Sequence, residues 1–397
     1  MSEQIRIAYI EQDAGIGGAE VNLFYLFNGM DRERFHPLVI VPYEGPLTER
    51  LKEMGVEYRI VPRPKLIPTS TYIFGKKIFN PFAVLYDIFA FSPAIWRIRN
   101  CLREERIDVV HTNSMVAHIY GAIASRMAGL PSIWHMQDIV DPEMALGLVR
   151  KSLVLLGRLL PDVIVAVSKA VGDMFTGKTA SKVRVIYNGT DVLRFSPAKD
   201  GTAIRREFNI PDEELVVGMV GRLTQWKGQR EFLKAASIVA AHIPNTKFLI
   251  VGDTTFGDLG YKDELCRLAD QTGLSSKVIF TGFRTDVPEL VAAMDLCVLP
   301  SVLPDPCPLV LFDYMASAKP VVATKLGGAP EIIEHGKDGL LTDPCRTDDF
   351  AGEMIGLLRD ASARKRLAYA ARQKVVDCFT LENFVARIQK LYLEVVH

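Results

Sequence analysis

No run of eighteen uninterrupted apolar residues occurs in the 397-residue chain, so nothing in it has the length to cross a bilayer as a helix. Charge of one sign is missing too. Lys and Arg total 47 and Asp and Glu total 47, which leaves no net field for nucleic acid. The six cysteines (Cys101, Cys266, Cys297, Cys307, Cys345 and Cys378) make no C-x-x-C pair and no zinc spacing. Most fall in apolar stretches, as reduced core thiols do, and this predicts a cytosolic protein. The opening MSEQIRIAYI runs straight into a strand pattern without a signal-peptide core, which fits the same expectation. There is no D-x-D pair, the usual carboxylate anchor for a metal-bridged diphosphate, so no metal site is expected.

Two nucleotide motifs fail on inspection. The loop Gly15-Ile16-Gly17-Gly18-Ala19-Glu20 has glutamate where a dinucleotide fingerprint needs its third glycine, which excludes the NAD reading. Gly17 and Gly18 can still bring backbone close to a phosphate or sugar. The run from Gly172 to Thr179 satisfies the P-loop expression, but only Ala180, Ser181 and Lys182 separate it from the next strand pattern. A P-loop needs a substantial helix there, and three residues cannot form one.

What is present is an alternation of β-rich and helical runs from end to end. Strands are expected at 5–10, 38–41, 108–111, 132–135, 163–167 and 184–186, and again at 216–220, 247–251, 277–280, 295–299 and 320–323. Such alternation predicts an α/β architecture of two doubly wound parallel sheets. Breakers in 188–199 place the boundary there. The expected domains are 1–192, rejoined by a helix over 381–397, and 193–380. Ligands of open α/β sheets bind beyond the carboxyl ends of strands, so two facing sheets predict a cleft between them.

The second half carries three islands of matching chemistry. Arg222 and Lys227 follow a buried strand and offer a guanidinium fork and a compact cation for a diphosphate. Asp305 and Asp313 flank the start of a helix near Pro308. The unpaired amides around Leu309, Val310 and Leu311 suit a phosphate, and Asp313 suits a vicinal diol such as ribose. Gly327 and Gly328 add a further close approach of backbone to ligand, followed by Glu331. Each feature alone has a plain alternative: surface cations, helix-capping aspartates, a turn. Together they describe a site for a nucleotide diphosphate-sugar.

These islands, GRLTQWKG, VGD at 251–253, TGFR at 281–284, LPS at 299–301 and GGAPEII-x5-GL, resemble the retaining GT-B glycosyltransferases of family 4. The resemblance runs from Ile5 to the last helix. It implies two Rossmann-like domains, a first that binds acceptor and a second that binds donor, with the last helix packed on the first. By resemblance, Arg222 and Lys227 hold the donor diphosphate and the backbone of Phe283 and Arg284 holds the base. The family's E-x7-E pair falls on Asp305, toward the donor sugar, and Asp313, toward the ribose; both are aspartate here. His135, at the end of a buried strand, matches the histidine that contacts the donor sugar and stabilises the transition state. His111 is a second candidate and His118 a third, with a structural histidine as the alternative. The implied activity is hexosyl transfer from a UDP- or GDP-sugar to a glycan or lipid-linked acceptor in bacterial polysaccharide assembly. Retention of configuration and independence of metal and cofactor are part of that implication. A nucleotide-sugar epimerase or a non-catalytic sugar-nucleotide-binding partner would share much of this pattern.

Residues 63–106 mix aromatics (Tyr72, Phe74, Phe91 and Trp96 among them) with Arg63, Lys65, Lys76, Lys77, Arg97, Arg99, Arg103 and Arg106. This mixture suits an anionic membrane on the inner face of the plasma membrane, and equally a core helix with a basic outer face.

Overall fold

The structure, a computed structural model, describes residues 4–64, 70–73, 76–79, 81–140, 147–254 and 259–396; for 70–89 and 259 it describes the backbone alone. The chain forms two compact units, Met1–Tyr187 with Phe384–His397, and Asn188–Asn383. The expected boundary at 192 thus falls inside the second unit. Residues 188–192 belong there because Thr190 N–H donates to Phe379 O and Leu381 N–H to Thr190 O, while Arg372 donates to Val192 O.

In the first unit the strands are β1 (Ile5–Ile10), β2 (Phe35–Val41), β3 (Glu57–Ile60), the antiparallel hairpin β4 (Ser70–Ile73) and β5 (Lys76–Phe79), then β6 (Val109–Thr112), β7 (Ser132–Met136), β8 (Val163–Ala166) and β9 (Val183–Val185). Apart from the hairpin they form one seven-stranded sheet in the order β3-β2-β1-β6-β7-β8-β9. All its pairings are parallel. Alternate residues of β1 feed opposite cores: Ile7 and Tyr9 face one cluster, Ala8 and Ile10 the other. Burial on both faces explains why these strands read as continuous apolar runs. The helix Leu381–Val396 completes the first of those clusters with a stripe of Phe384, Val385, Ile388, Leu391 and Tyr392.

The second unit holds β10 (Leu215–Val220), β11 (Thr246–Val251), β12 (Val278–Gly282), β13 (Leu296–Leu299), β14 (Val321–Thr324) and β15 (Leu340–Thr342). They pair in parallel in the order β12-β11-β10-β13-β14-β15. The chain builds outward from β10 through β11 and β12, then returns to β10's other side with β13. That reversal makes the carboxyl ends of β10 and β13 a topological switch point, where open α/β sheets leave a crevice. In the first unit the corresponding reversal lies between β1 and β6.

Over 63–106 the described backbone includes the β4–β5 hairpin and a helix, Pro81–Glu104, that runs through Pro93. Lys65 and Phe74 lie outside the described residues. Phe91 is buried beneath Tyr120, and Arg63 donates to Gln12 O. Trp96 is exposed with the Arg99 guanidinium over its ring. The segment therefore divides between core and basic surface. No helix among the described residues is long and apolar enough to cross a membrane.

Candidate active site

The loop after β10 is held in place by backbone contacts that only glycine permits. Gly228 has φ +78°, and a Cβ there would lie 1.9 Å from Pro300 O. Gly252, at φ +136°, would place one 2.1 Å from Gly221 O. Gln229 Nε2 donates to Arg222 O at 2.8 Å, and Val302 N–H to Trp226 O at 2.9 Å. The loops that leave β10 and β13 are thereby fastened together at the switch point.

Sequence position gives no hint of the contact that follows. Lys227 Nζ donates to Asp305 Oδ2 at 2.6 Å, with side-chain exposures of 17% and 9%. The ammonium also lies 4.2 Å from the centre of the Trp226 ring. The lysine expected on the diphosphate and the aspartate expected on the sugar are thus ion-paired with each other. Arg222 is exposed, and among the described residues its guanidinium has no ion pair or hydrogen bond.

The helix Leu309–Ala316 begins after Pro308, beside that pair. Leu311 N–H donates to Pro308 O, so Leu311's amide is satisfied, contrary to expectation. The amides of Leu309 and Val310 stand in the first turn, which has no intrahelical acceptors. Asp313 is half-buried, and its Oδ1 accepts from Thr190 Oγ1 at 2.6 Å. Burial raises its carboxyl to about 7, against the Thr190 hydrogen bond and the charge of Arg194. The glycine pair packs on the protein's own loop. A Cβ on Gly327 (φ +56°) would lie 2.1 Å from Asp305 O, and Gly328 N–H donates to that oxygen at 2.8 Å. The pair fixes the backbone that carries Asp305.

Phe283 is 79% exposed just after β12. The Arg284 guanidinium is engaged by Glu207 and Asp286, which leaves backbone rather than side chain to meet a base.

In the first unit Gly17 precedes the helix Gly18–Gly29, and its N–H donates to Glu20 Oε2 at 2.7 Å. A Cβ on Gly18 would meet nothing within 4 Å, so the loop is open at that point. His135 lies near the end of β7 and is 2% exposed. Its Nδ1 is 3.1 Å from His111 Nε2, and its Nε2 is buried without a partner among the described residues. Burial lowers His135 to about 4 and, with its neighbours, holds His111 well below the ordinary histidine range, so both are neutral at pH 7. His118 is a structural histidine: it bonds Thr112 Oγ1 at 2.7 Å and stacks on Trp134. The 177–182 run is a short 3₁₀ turn, with none of the helix a P-loop requires.

Sequence reading passed over Thr190, Tyr9, Tyr392 and Glu11. Glu11 follows β1 directly, is 2% exposed, and burial keeps its carboxyl well above the usual range. An acid immediately after a strand of IRIAYI was the available signal.

A family model described as Glycosyltransferase Family 4 matches residues 16–194, and one described as Glycosyl transferases group 1 matches 200–374. The chain belongs to the group 1, family 4 glycosyltransferases. The enzyme is 24% identical to the UDP-Gal:alpha-D-GlcNAc-diphosphoundecaprenol alpha-1,3-galactosyltransferase of Escherichia coli, over 99% of this chain and 98% of that one. It is 26% identical to the N-acetyl-alpha-D-glucosaminyl L-malate synthase of Bacillus anthracis, over 78% of this chain and 82% of the relative. The Anabaena protein HepE, solved in complex with UDP and glucose, superimposes with a TM-score of 0.82 at 28% identity, covering 98% of this chain and 99% of that one. The two Rossmann-like units are those of the GT-B fold. Its relatives favour neither the epimerase nor the non-catalytic alternative.

Proposed function

We propose that this glycosyltransferase moves a hexose from a UDP-sugar to a lipid-linked or glycan acceptor, with retention of configuration and without metal. The observation that carries the reading is the switch point of the second unit, where the unpaired Arg222, the Lys227–Asp305 pair and the first-turn amides of Leu309 and Val310 converge. Arg222 and the amides meet the diphosphate, and Lys227 neutralises the charge that grows on it as the glycosidic bond breaks. The leaving phosphate takes the acceptor hydroxyl's proton, so the reaction needs no protein base. The exposed backbone at Phe283 and Arg284 receives the base, Asp313 the ribose, and Asp305 the donor sugar. Gly17, Gly18 and His135 serve the transferring sugar and the acceptor from the first unit. UDP is preferred to GDP because HepE was solved with UDP and the E. coli relative is named for UDP-Gal.

The relative's diphosphoundecaprenol acceptor also supports work at an anionic membrane surface. Beside the basic, aromatic segment 63–106, a second face that suits one is on the helix Leu148–Leu159. Leu148, Leu155 and Leu159 are 55%, 55% and 52% exposed, and Lys151 and Arg158 flank them.

The test is melting of the enzyme across UDP, GDP, ADP and their hexoses, with and without EDTA. A UDP ligand at 100 times its Kd should stabilise the native state by about 2.7 kcal/mol, unchanged by EDTA. A shift with GDP alone would overturn the choice of base, and dependence on metal would overturn the metal-free reading.

A further inference from the structure

Four side chains in the first unit form an unbroken buried chain, of which the reaction outlined above uses only His135. Tyr9 OH is 2.7 Å from Tyr392 OH, Tyr392 OH is 2.9 Å from His111 Nδ1, and His111 Nε2 is 3.1 Å from His135 Nδ1. Tyr9 comes from β1, His111 from β6, His135 from β7 and Tyr392 from the helix Leu381–Val396. All four are between 0% and 2% exposed. Packing supports the line: Tyr9 and His111 rings lie 5.0 Å apart, and His111 lies 5.2 Å from His135 and 5.8 Å from Tyr392. At the far end His135 Nε2 is buried with no partner among the described residues.

Hydrogen-bond accounting gives this chain a direction. Each hydroxyl has one proton, and each neutral imidazole has one N–H and one bare nitrogen. If protons point from Tyr9 toward His135, then Tyr9 donates to Tyr392, Tyr392 to His111 Nδ1, and His111 Nε2–H to His135 Nδ1. Every internal donor then has an acceptor, and the one group left over is a His135 Nε2–H. If they point the other way, the Tyr9 hydroxyl proton is left in the core with no acceptor among the described residues, and His135 Nε2 is bare as well. Each direction leaves one buried donor open, but only the second also leaves a bare buried nitrogen, and an unsatisfied buried polar group costs about 1–3 kcal/mol, so the first direction is favoured. It also leaves its single open valence at the carboxyl end of a parallel strand, where α/β sheets receive ligands.

We propose that Tyr9, Tyr392 and His111 are positioning residues that lock His135 in its Nε2–H tautomer, so that it presents an N–H donor to an oxygen of the ligand. The oxygen expected is a sugar hydroxyl or the developing charge beside it, and this clause rests on the function proposed above. The tautomer assignment does not rest on it.

The experiment is long-range ¹H–¹⁵N correlation on the full chain labelled at histidine, with His135→Gln used to identify its signals. Wild type should show His135 with a protonated Nε2 and a bare Nδ1. Tyr392→Phe removes the donor to His111, and His135 should then populate both tautomers. Tyr9→Phe leaves Tyr392 free to donate and should keep the wild-type tautomer. A protonated Nδ1 in wild type overturns the proposal without need of any variant, and so does a folded Tyr392→Phe that retains the wild-type pattern. Titration with UDP-glucose is read separately. A His135 signal that ignores it would remove the donor contact while leaving the locked tautomer standing.

Discussion

Arg222 and Lys227 carry the same charge in different electrostatic company. Arg222 is exposed and, among the described residues, unpaired, so Arg222→Ala should leave stability within about 0.5 kcal/mol of wild type while weakening UDP binding roughly tenfold or more. Lys227→Ala strands the carboxylate of Asp305 in a mostly buried site and should destabilise the unit by about 3 kcal/mol. The double change Lys227→Met with Asp305→Leu should recover most of that stability and none of the binding. Melting and UDP titration of the three proteins separate the two effects; equal stability loss in both single variants would refute the distinction. Asp313 gives a pH test. Its folded carboxyl sits near 7 and its unfolded one near 3.8, so the folded state holds the extra proton between those values. Its contribution to stability is greatest below about 3.8 and is lost as pH climbs toward 7. Asp313→Asn keeps an acceptor for Thr190 and has no charge to lose. The variant should therefore gain on wild type steadily as melting is measured from pH 4 to pH 8, and a constant difference would refute the raised carboxyl.

Elements differed in how plainly they could be read. The central strands were legible because burial on both faces demands runs such as IRIAYI and LVVGMV, which no exposed segment would carry. The edge strands β3 and β15 escaped because each is short and only half covered, and EYRI and LLT lack the apolar run. The same logic governs the site. Arg222, Lys227 and Asp305 could be picked out as strand-end chemistry, but that Lys227 and Asp305 meet depends on β13 lying beside β10, which is a fact of sheet order. Thr190 and Tyr392 gave no local signal, because a threonine in a linking loop and a tyrosine on an apolar stripe look like turn and core. The glycine pair reads as a close approach of backbone, and that it approaches Asp305 O is set by the tertiary fold. Gly327→Ala, which would push on Asp305 O, should cost about 1–3 kcal/mol and weaken UDP binding. Gly352→Ala, in the open helix Thr347–Arg359, should be neutral or stabilising by up to about 1 kcal/mol. Comparable losses in both would show that the loop contact is not what matters.

For the whole molecule, the exposed leucines of Leu148–Leu159 bear on where the enzyme works. Wild type should float with vesicles of phosphatidylglycerol and phosphatidylcholine and be released by high salt, and Leu155→Glu with Leu159→Glu should abolish flotation without lowering the melting temperature. Flotation unchanged by both substitutions would place any membrane contact elsewhere. The route of the chain has a further consequence. The second unit is one continuous stretch, whereas the first is in two pieces, and its smaller piece, Phe384–His397, is translated only after the whole of the second unit. On the ribosome the second unit can therefore close before the one that precedes it in sequence, whose core still lacks Phe384, Ile388 and Tyr392. A product cut short near Asn383 would be a finished second unit attached to an unfinished first one with exposed apolar surface. Cellular quality control would meet it as a sticky protein rather than as a weak enzyme.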